Sequence, residues 1–62
     1  MVEFTEVELE DAHRALQSTL RKCEKIDVSK LAAPQQTLLR RRIAALRVAL
    51  ALIERELSME EI

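Results

Sequence analysis

The sequence contains no glycine, one proline, one cysteine and a single aromatic residue, Phe4. Phosphate-binding loops, dinucleotide fingerprints and nucleophile elbows need glycine, because their backbone adopts positive φ or lies close to a ligand. The enzyme classes that depend on such loops are therefore excluded. One cysteine cannot form an intrachain disulfide, and one cysteine with one histidine cannot build a zinc site. We expect no metal and no cofactor, and a reducing, cytoplasmic setting.

Long apolar runs and a large excess of one charge are also missing. The longest uncharged apolar run, from Val48 to Ile53, has six residues, whereas a membrane-spanning helix requires about 20. Residues 1–12 carry five acidic and no basic side chains, so they lack the positively charged start of a signal peptide. We expect a soluble chain, with neither membrane insertion nor export by the signal-peptide route. The net charge of −1 argues against a protein whose surface as a whole binds nucleic acid by electrostatic attraction.

What remains is a short chain rich in residues that favour helices. Its 62 residues, 48% of them hydrophobic, form at most one domain. A single core of this size supplies few kcal/mol. We therefore predict an all-α fold over residues 1–62: an antiparallel two-helix hairpin, completed into a larger helical assembly by a partner or by dimerisation. Helix 1 is expected at about 6–26, a linker at about 27–33 and helix 2 at about 34–58.

Helix 1 carries a start signal and one apolar stripe. Thr5 and Glu8 have the spacing of a capping box, in which the Thr5 hydroxyl accepts from the backbone of Glu8. Pro34 marks the start of helix 2, since proline fits the first helical turn and disfavours helical geometry in the residue before it. The stripe of helix 1 supplies four predicted core residues, namely Leu9, Leu16, Leu20 and Cys23, beside a weaker row of Ala12, Thr19 and Ile26.

Helix 2 carries two apolar rows. The first, the inner row, has the spacing four, three, four, three, four that is typical of knobs-into-holes packing, and we assign it to the hairpin core: Leu39, Ile43, Leu46, Leu50, Ile53 and Leu57. The second, the outer row, lies elsewhere on the helix and consists of Leu38, Ala45, Val48, Ala49, Leu52 and Met59. Helix 1 can cover only one row. The outer row is therefore predicted to bind a partner, because exposed apolar patches usually mark interfaces.

The charged residues divide by position along the hairpin. In an antiparallel hairpin, residues 13–47 would gather at the turn with a balance of +7, and the remaining residues would gather at the open end with −8. The consecutive Arg40, Arg41 and Arg42 fan over about 200° of a helix, which is typical of a solvated face. Contacts to carboxylates or phosphates across an interface are the alternative. His13 and Cys23 lie about 15 Å apart along a helix, too far for a catalytic pair.

The second helix also resembles a known family. Gln35-Gln36, then Leu39, then the run from Ala45 to Ile53 look like the closing helix of the small "E"-type co-chaperones of type III secretion needle subunits. The resemblance covers about 13–57, and the Ala33-Pro34 linker and the triple arginine depart from it. It implies a helical hairpin that binds a helical-repeat chaperone and keeps a needle subunit monomeric in the bacterial cytoplasm. The binding face that it implies consists of Ala45, Val48, Ala49 and Leu52.

Two kinds of function remain open at this point. The first is a non-enzymatic interaction module of the co-chaperone kind, whose partner is a helical chaperone or a secretion subunit. The second is a homodimeric four-helix-bundle regulatory protein that contacts RNA through its basic turn end. No nucleophile, base and orienting group converge in the sequence, so we do not expect an enzyme.

Overall fold

The computed structural model describes residues 3–60. These residues form two α-helices, α1 (Glu6–Glu24) and α2 (Ala33–Glu60), joined through a short 3-10 helix, Val28–Lys30, and they contain no strand. The two helices pack side by side in opposite directions, giving a rod of 45 × 21 × 17 Å. The all-α antiparallel hairpin is therefore confirmed, while its completion by a partner or a second copy stays a prediction.

The start of α1 has the predicted cap. Thr5 is in extended geometry, with φ −71° and ψ 160°, and its hydroxyl accepts a hydrogen bond from the Glu8 amide at 3.1 Å. Acidic residues occupy the first turn of α1 and basic residues the last, the arrangement that the helix dipole favours. The local sequence thus fixes where α1 begins.

Replacing Thr5 by Ala should lower the free energy of unfolding by about 1 kcal/mol, because the Glu8 amide loses its partner. A thermal melt followed by circular dichroism measures the effect. Ser18→Ala is the matched control, since Ser18 is an exposed hydroxyl residue in the middle of α1 and should not lower the midpoint. Equal midpoints for Thr5→Ala and the unaltered chain would contradict the capping role.

The first helix ends at Glu24, two residues before the predicted boundary. The Ile26 amide bonds to the Cys23 carbonyl three residues back at 3.2 Å, which tightens the last turn. Asp27 is in extended geometry, and its carboxylate accepts from both the amide and the hydroxyl of Ser29, at 3.1 and 2.6 Å. Asp27 thereby caps the 3-10 helix, and this local bond competes with continuation of α1.

The second helix is longer than predicted at both ends. It begins at Ala33, one residue before Pro34, and it continues to Glu60 instead of ending near Ser58. Pro34 lies in the first turn, where a missing amide hydrogen costs nothing, and its effect on Ala33 is a preference that the helix overrides. No glycine or proline follows Ser58 to stop the helix.

Gln36 closes the connection between the helices. Its side-chain amide donates to the carbonyls of Val28 and Leu31, at 3.0 and 2.9 Å. The Leu31 side chain is half-buried at the turn. These two hydrogen bonds join the first turn of α2 to the 3-10 helix and to the residue that follows it.

The core lies between the inner row of α2 and one face of α1. Leu39 and Leu50 are 6% and 7% exposed and are the two buried residues in the described part of the chain. The other predicted core residues are all half-buried: Leu9, Leu16, Leu20, Cys23, Ile43, Leu46, Ile53 and Leu57. A thin core of this kind leaves much of each helix in contact with solvent.

The weaker row predicted on helix 1 is only partly in the core. Ala12 is half-buried, whereas Thr19 and Ile26 are exposed. The Thr19 hydroxyl donates to the Ala15 carbonyl at 3.0 Å, and Ile26 lies beyond the end of α1. Thr19 and Ile26 are therefore not part of the core, because the face of α1 that meets α2 is centred on Leu9 and Leu16.

Candidate protein-interaction surface

Two exposed polar contacts join the helices beside the inner row of α2. His13 Nε2 lies 2.9 Å from Glu54 Oε1 near the open end, and Arg47 donates to a Glu24 carboxylate oxygen at 3.0 Å nearer the turn. Both contacts flank the inner row. With Leu39 and Leu50 buried against α1, the outer row lies on a different side of the helix.

The outer row is exposed. Leu38, Val48, Leu52 and Met59 have exposed fractions of 48%, 60%, 58% and 60%, and Ala45 is also exposed. At 100° per residue the mean directions of the inner and outer rows differ by about 130°, so α1 cannot reach both. The result is a mainly apolar stripe along α2, with Leu38 near the turn and Met59 near the open end on either side of a central group from Ala45 to Leu52.

Ala49 differs from the rest of the predicted outer row. It is half-buried because its direction on α2 lies between the outer row and the inner row. Its small side chain occupies the border of both surfaces, so a partner on the outer row would contact one side of it.

Sequence reasoning missed two members of the exposed stripe. Arg41 and Glu56 are exposed and have the same direction on α2 as the outer row. Both are charged, so a pattern of apolar residues does not include them. The signal that reveals them is their position, since each lies three or four residues from its neighbours in the row.

Charge is divided between the two ends of the rod, with a boundary that differs from the predicted one. Because Glu54 lies opposite His13, the basic part of the rod, which includes the turn, comprises residues 13–54 and not 13–47. That part carries nine basic and three acidic residues, a balance of +6. The rest of the described residues carry seven acids and one base, a balance of −6. The predicted asymmetry remains after this correction.

The three consecutive arginines belong to the basic part of the rod. Arg40, Arg41 and Arg42 are all exposed, which is compatible with the solvated face expected for them. Arg42 also lines a shallow cavity of about 290 Å³ at the turn, whose other walls are mainly apolar: Ile26, Leu31, Gln35, Leu38 and Leu39. This cavity adjoins the turn end of the outer row through Leu38.

A second, more open groove of about 470 Å³ lies near the open end of the hairpin, between the helices. Its lining is mainly polar and includes His13, Glu54 and Gln17. Within residues 3–60, no three side chains of His, Cys, Asp or Glu come together as a metal-binding group. His13 contacts Glu54, and Cys23 is half-buried with a free thiol. The groove therefore offers hydrogen-bonding groups, among them His13, Glu54 and Ser58.

Neither helix, over the described residues, combines the length and apolar character of a membrane span. The chain matches no protein-family model, no curated protein and no solved structure. No relative therefore assigns a role to any residue of the exposed stripe.

Proposed function

We propose that this chain is a non-enzymatic protein-interaction module that presents the outer row of α2 to another helical surface. One observation carries the proposal: four large apolar side chains on α2, at Leu38, Val48, Leu52 and Met59, are about half exposed or more. They lie along one side of a single helix. Exposed apolar side chains gathered on one side of a helix are typical of interaction sites, and a helix stripe fits a helix or a helix-lined groove.

The positions of His13 and Cys23, the side chains best suited to a catalytic pair, support a role without catalysis. His13 and Cys23 are ten residues apart on α1, about 15 Å along the helix. His13 is engaged by Glu54 at 2.9 Å, in a contact that joins the two helices. These residues contribute to the hairpin, so the module's activity lies in what it binds.

The family resemblance supports a more specific proposal about the partners. The hairpin would be a co-chaperone that binds a helical-repeat chaperone together with a needle subunit of a type III secretion system, in the cytoplasm. The face that the resemblance implies includes Val48 and Leu52, which are exposed on α2, and Ala45, which lies beside them. The single cysteine is compatible with a reducing compartment.

Site-specific photo-crosslinking in the cells that naturally produce the chain tests the module. A photoreactive phenylalanine derivative in place of Leu52 should give covalent adducts with a neighbouring protein, because Leu52 lies in the middle of the outer row. The same derivative in place of Ala51 is the control, since Ala51 is exposed and points about 110° away from the row. Absence of an adduct at position 52, or equal yields at both positions, would overturn the proposal.

The adducts also show which protein binds the outer row. Mass spectrometry of an adduct at position 52 identifies the protein attached to it. A helical-repeat chaperone or a secretion subunit would support the co-chaperone form. An adduct of the chain with itself would instead place a second copy on the outer row.

A further inference from the structure

We propose that the outer row of α2 binds the same surface of a second copy of this chain, with the two α2 helices antiparallel. This inference rests on the proposed function, since it names the occupant of the same surface. A two-fold dimer requires a surface that is complementary to itself, because each residue meets the residue at its mirrored position. The outer row, together with Arg41 and Glu56, meets this requirement in spacing, size and charge.

The spacing of the stripe reads the same from both ends. Its members are at positions 38, 41, 45, 48, 49, 52, 56 and 59, separated by three, four, three, one, three, four and three residues. They fall within a sector of about 100° on the helix. The midpoint lies between Val48 and Ala49. Leu38 and Met59 are each about 16 Å from it along the axis, so two antiparallel copies place one against the other.

The sizes of the paired residues are complementary. Ala45 of one copy meets Leu52 of the other, so a small residue faces a large one and the helices can approach closely. Met59 of the second copy falls at the height of Leu38, which is 48% exposed. Met59 is 60% exposed in the single hairpin. A flexible methionine fits irregular apolar surfaces well, so Met59 of one copy can pack against Leu38 of the other.

The charges favour the antiparallel arrangement over the parallel one. Arg41 of one copy falls opposite Glu56 of the other, and two-fold symmetry repeats this pair. Arg42 and Arg55 come to the same height, but their directions place them on opposite edges of the stripe. A parallel dimer would bring the two basic turn ends together and the two acidic ends together. The division of charge along the rod therefore selects a second copy that runs in the opposite direction.

Charge reversal tests both the occupant and its orientation. Sedimentation equilibrium of the full chain with reductant, over a dilution series, should give a dimer of twice the 7.1 kDa chain mass. Arg41→Glu and Glu56→Arg should each weaken the dimer about tenfold, because each puts two pairs of like charges in contact. The double variant Arg41→Glu/Glu56→Arg restores both pairs and should recover the affinity of the unaltered chain.

Arg40→Glu is the matched control. It changes the net charge as Arg41→Glu does, but Arg40 is exposed and points away from the stripe, so it should change the affinity less than twofold. A chain that stays monomeric throughout the dilution series would overturn the inference. So would a dimer in which Arg40→Glu and Arg41→Glu have the same effect, or in which the double variant fails to recover.

A second, independent measurement tests the relative orientation of the two copies. A spin label on a Lys30→Cys/Cys23→Ser variant marks the turn of each copy, and Lys30 is exposed. In the antiparallel dimer the two turns lie at opposite ends, so the labels should be about 46 Å apart or more, from 1.5 Å per residue along α2. A distance below about 25 Å in a confirmed dimer would overturn the antiparallel arrangement.

The failure of this inference is distinguishable from the failure of the proposed function. If the purified chain is monomeric but position 52 crosslinks to another protein in cells, the module stands and the second copy is wrong. If position 52 gives no adduct and the chain is monomeric, both are wrong. A dimer with the charge-reversal pattern described above supports both.

Discussion

Replacing Leu50 by Ala should unfold most of the chain at 25 °C. Leu50 is 7% exposed, and truncation of a buried leucine costs about 2 to 5 kcal/mol, since it removes apolar contacts and leaves a cavity. A single core in a chain of fewer than about 70 residues supplies roughly 3 to 5 kcal/mol in total. The loss is therefore comparable with the whole stability of the hairpin. A circular-dichroism melt should show a midpoint far below that of the unaltered chain and a weak helical signal before heating.

Two comparisons make this test specific to the core. Leu46 is half-buried on the same inner row, so Leu46→Ala should lower the midpoint by less than Leu50→Ala. Leu52 is 58% exposed, so Leu52→Ala removes the same atoms from the outer row. Its melt should lose dependence on protein concentration, while Leu50→Ala should destabilise the hairpin at every concentration. A Leu50→Ala midpoint equal to that of the unaltered chain would mean that the inner row is wrongly assigned.

The inner row could be predicted because it depends on local geometry alone. A helix turns by about 100° per residue, so the spacing from Leu39 to Leu57 fixes the direction of every member once the chain is helical. The same holds for Thr5, whose partner Glu8 is three residues away. Burial at Leu39 and Leu50 then follows from packing any second helix against that face.

The connection between the helices could not be predicted in the same way. Gln36 bonds to Val28 and Leu31, which are eight and five residues away, and these bonds exist only after the chain has reversed direction. Nothing in the spacing of the sequence distinguishes Gln36 from Gln35. The early end of α1 likewise depends on the competition between Asp27 as a cap and continued helix.

The register between the helices also lies beyond the sequence pattern. It places Glu54 opposite His13, whereas the charge pattern of the sequence predicts that residue 54 belongs to the acidic open end. The length of the turn sets this register, and a shift of one helical turn moves a contact by about 5.4 Å. The charge asymmetry was predictable because it is large, but its boundary was not.

Replacing Leu52 by Glu should abolish association while the hairpin itself stays folded. Any helical occupant of the outer row would have to bury the new carboxylate without a partner, and a buried unpaired charge costs several kcal/mol. The loss of leucine burial adds about 1.5 to 3 kcal/mol at each Leu52. Binding should weaken by at least about a hundredfold, whether the occupant is a second copy or another protein.

Two measurements on the same variant distinguish a role of Leu52 in association from a role in the hairpin core. Sedimentation velocity should give the mass of one 7.1 kDa chain, and far-UV circular dichroism should retain the helical signal, because Leu52 is already 58% exposed in the hairpin. Ala51→Glu introduces the same charge one residue away, on an exposed face outside both rows, and should leave association intact. Undiminished association in Leu52→Glu would refute the outer row as an interface. Loss of helix in Leu52→Glu, but not in Ala51→Glu, would instead mean that Leu52 contributes to the hairpin core and that α1 covers more of α2 than the inner row.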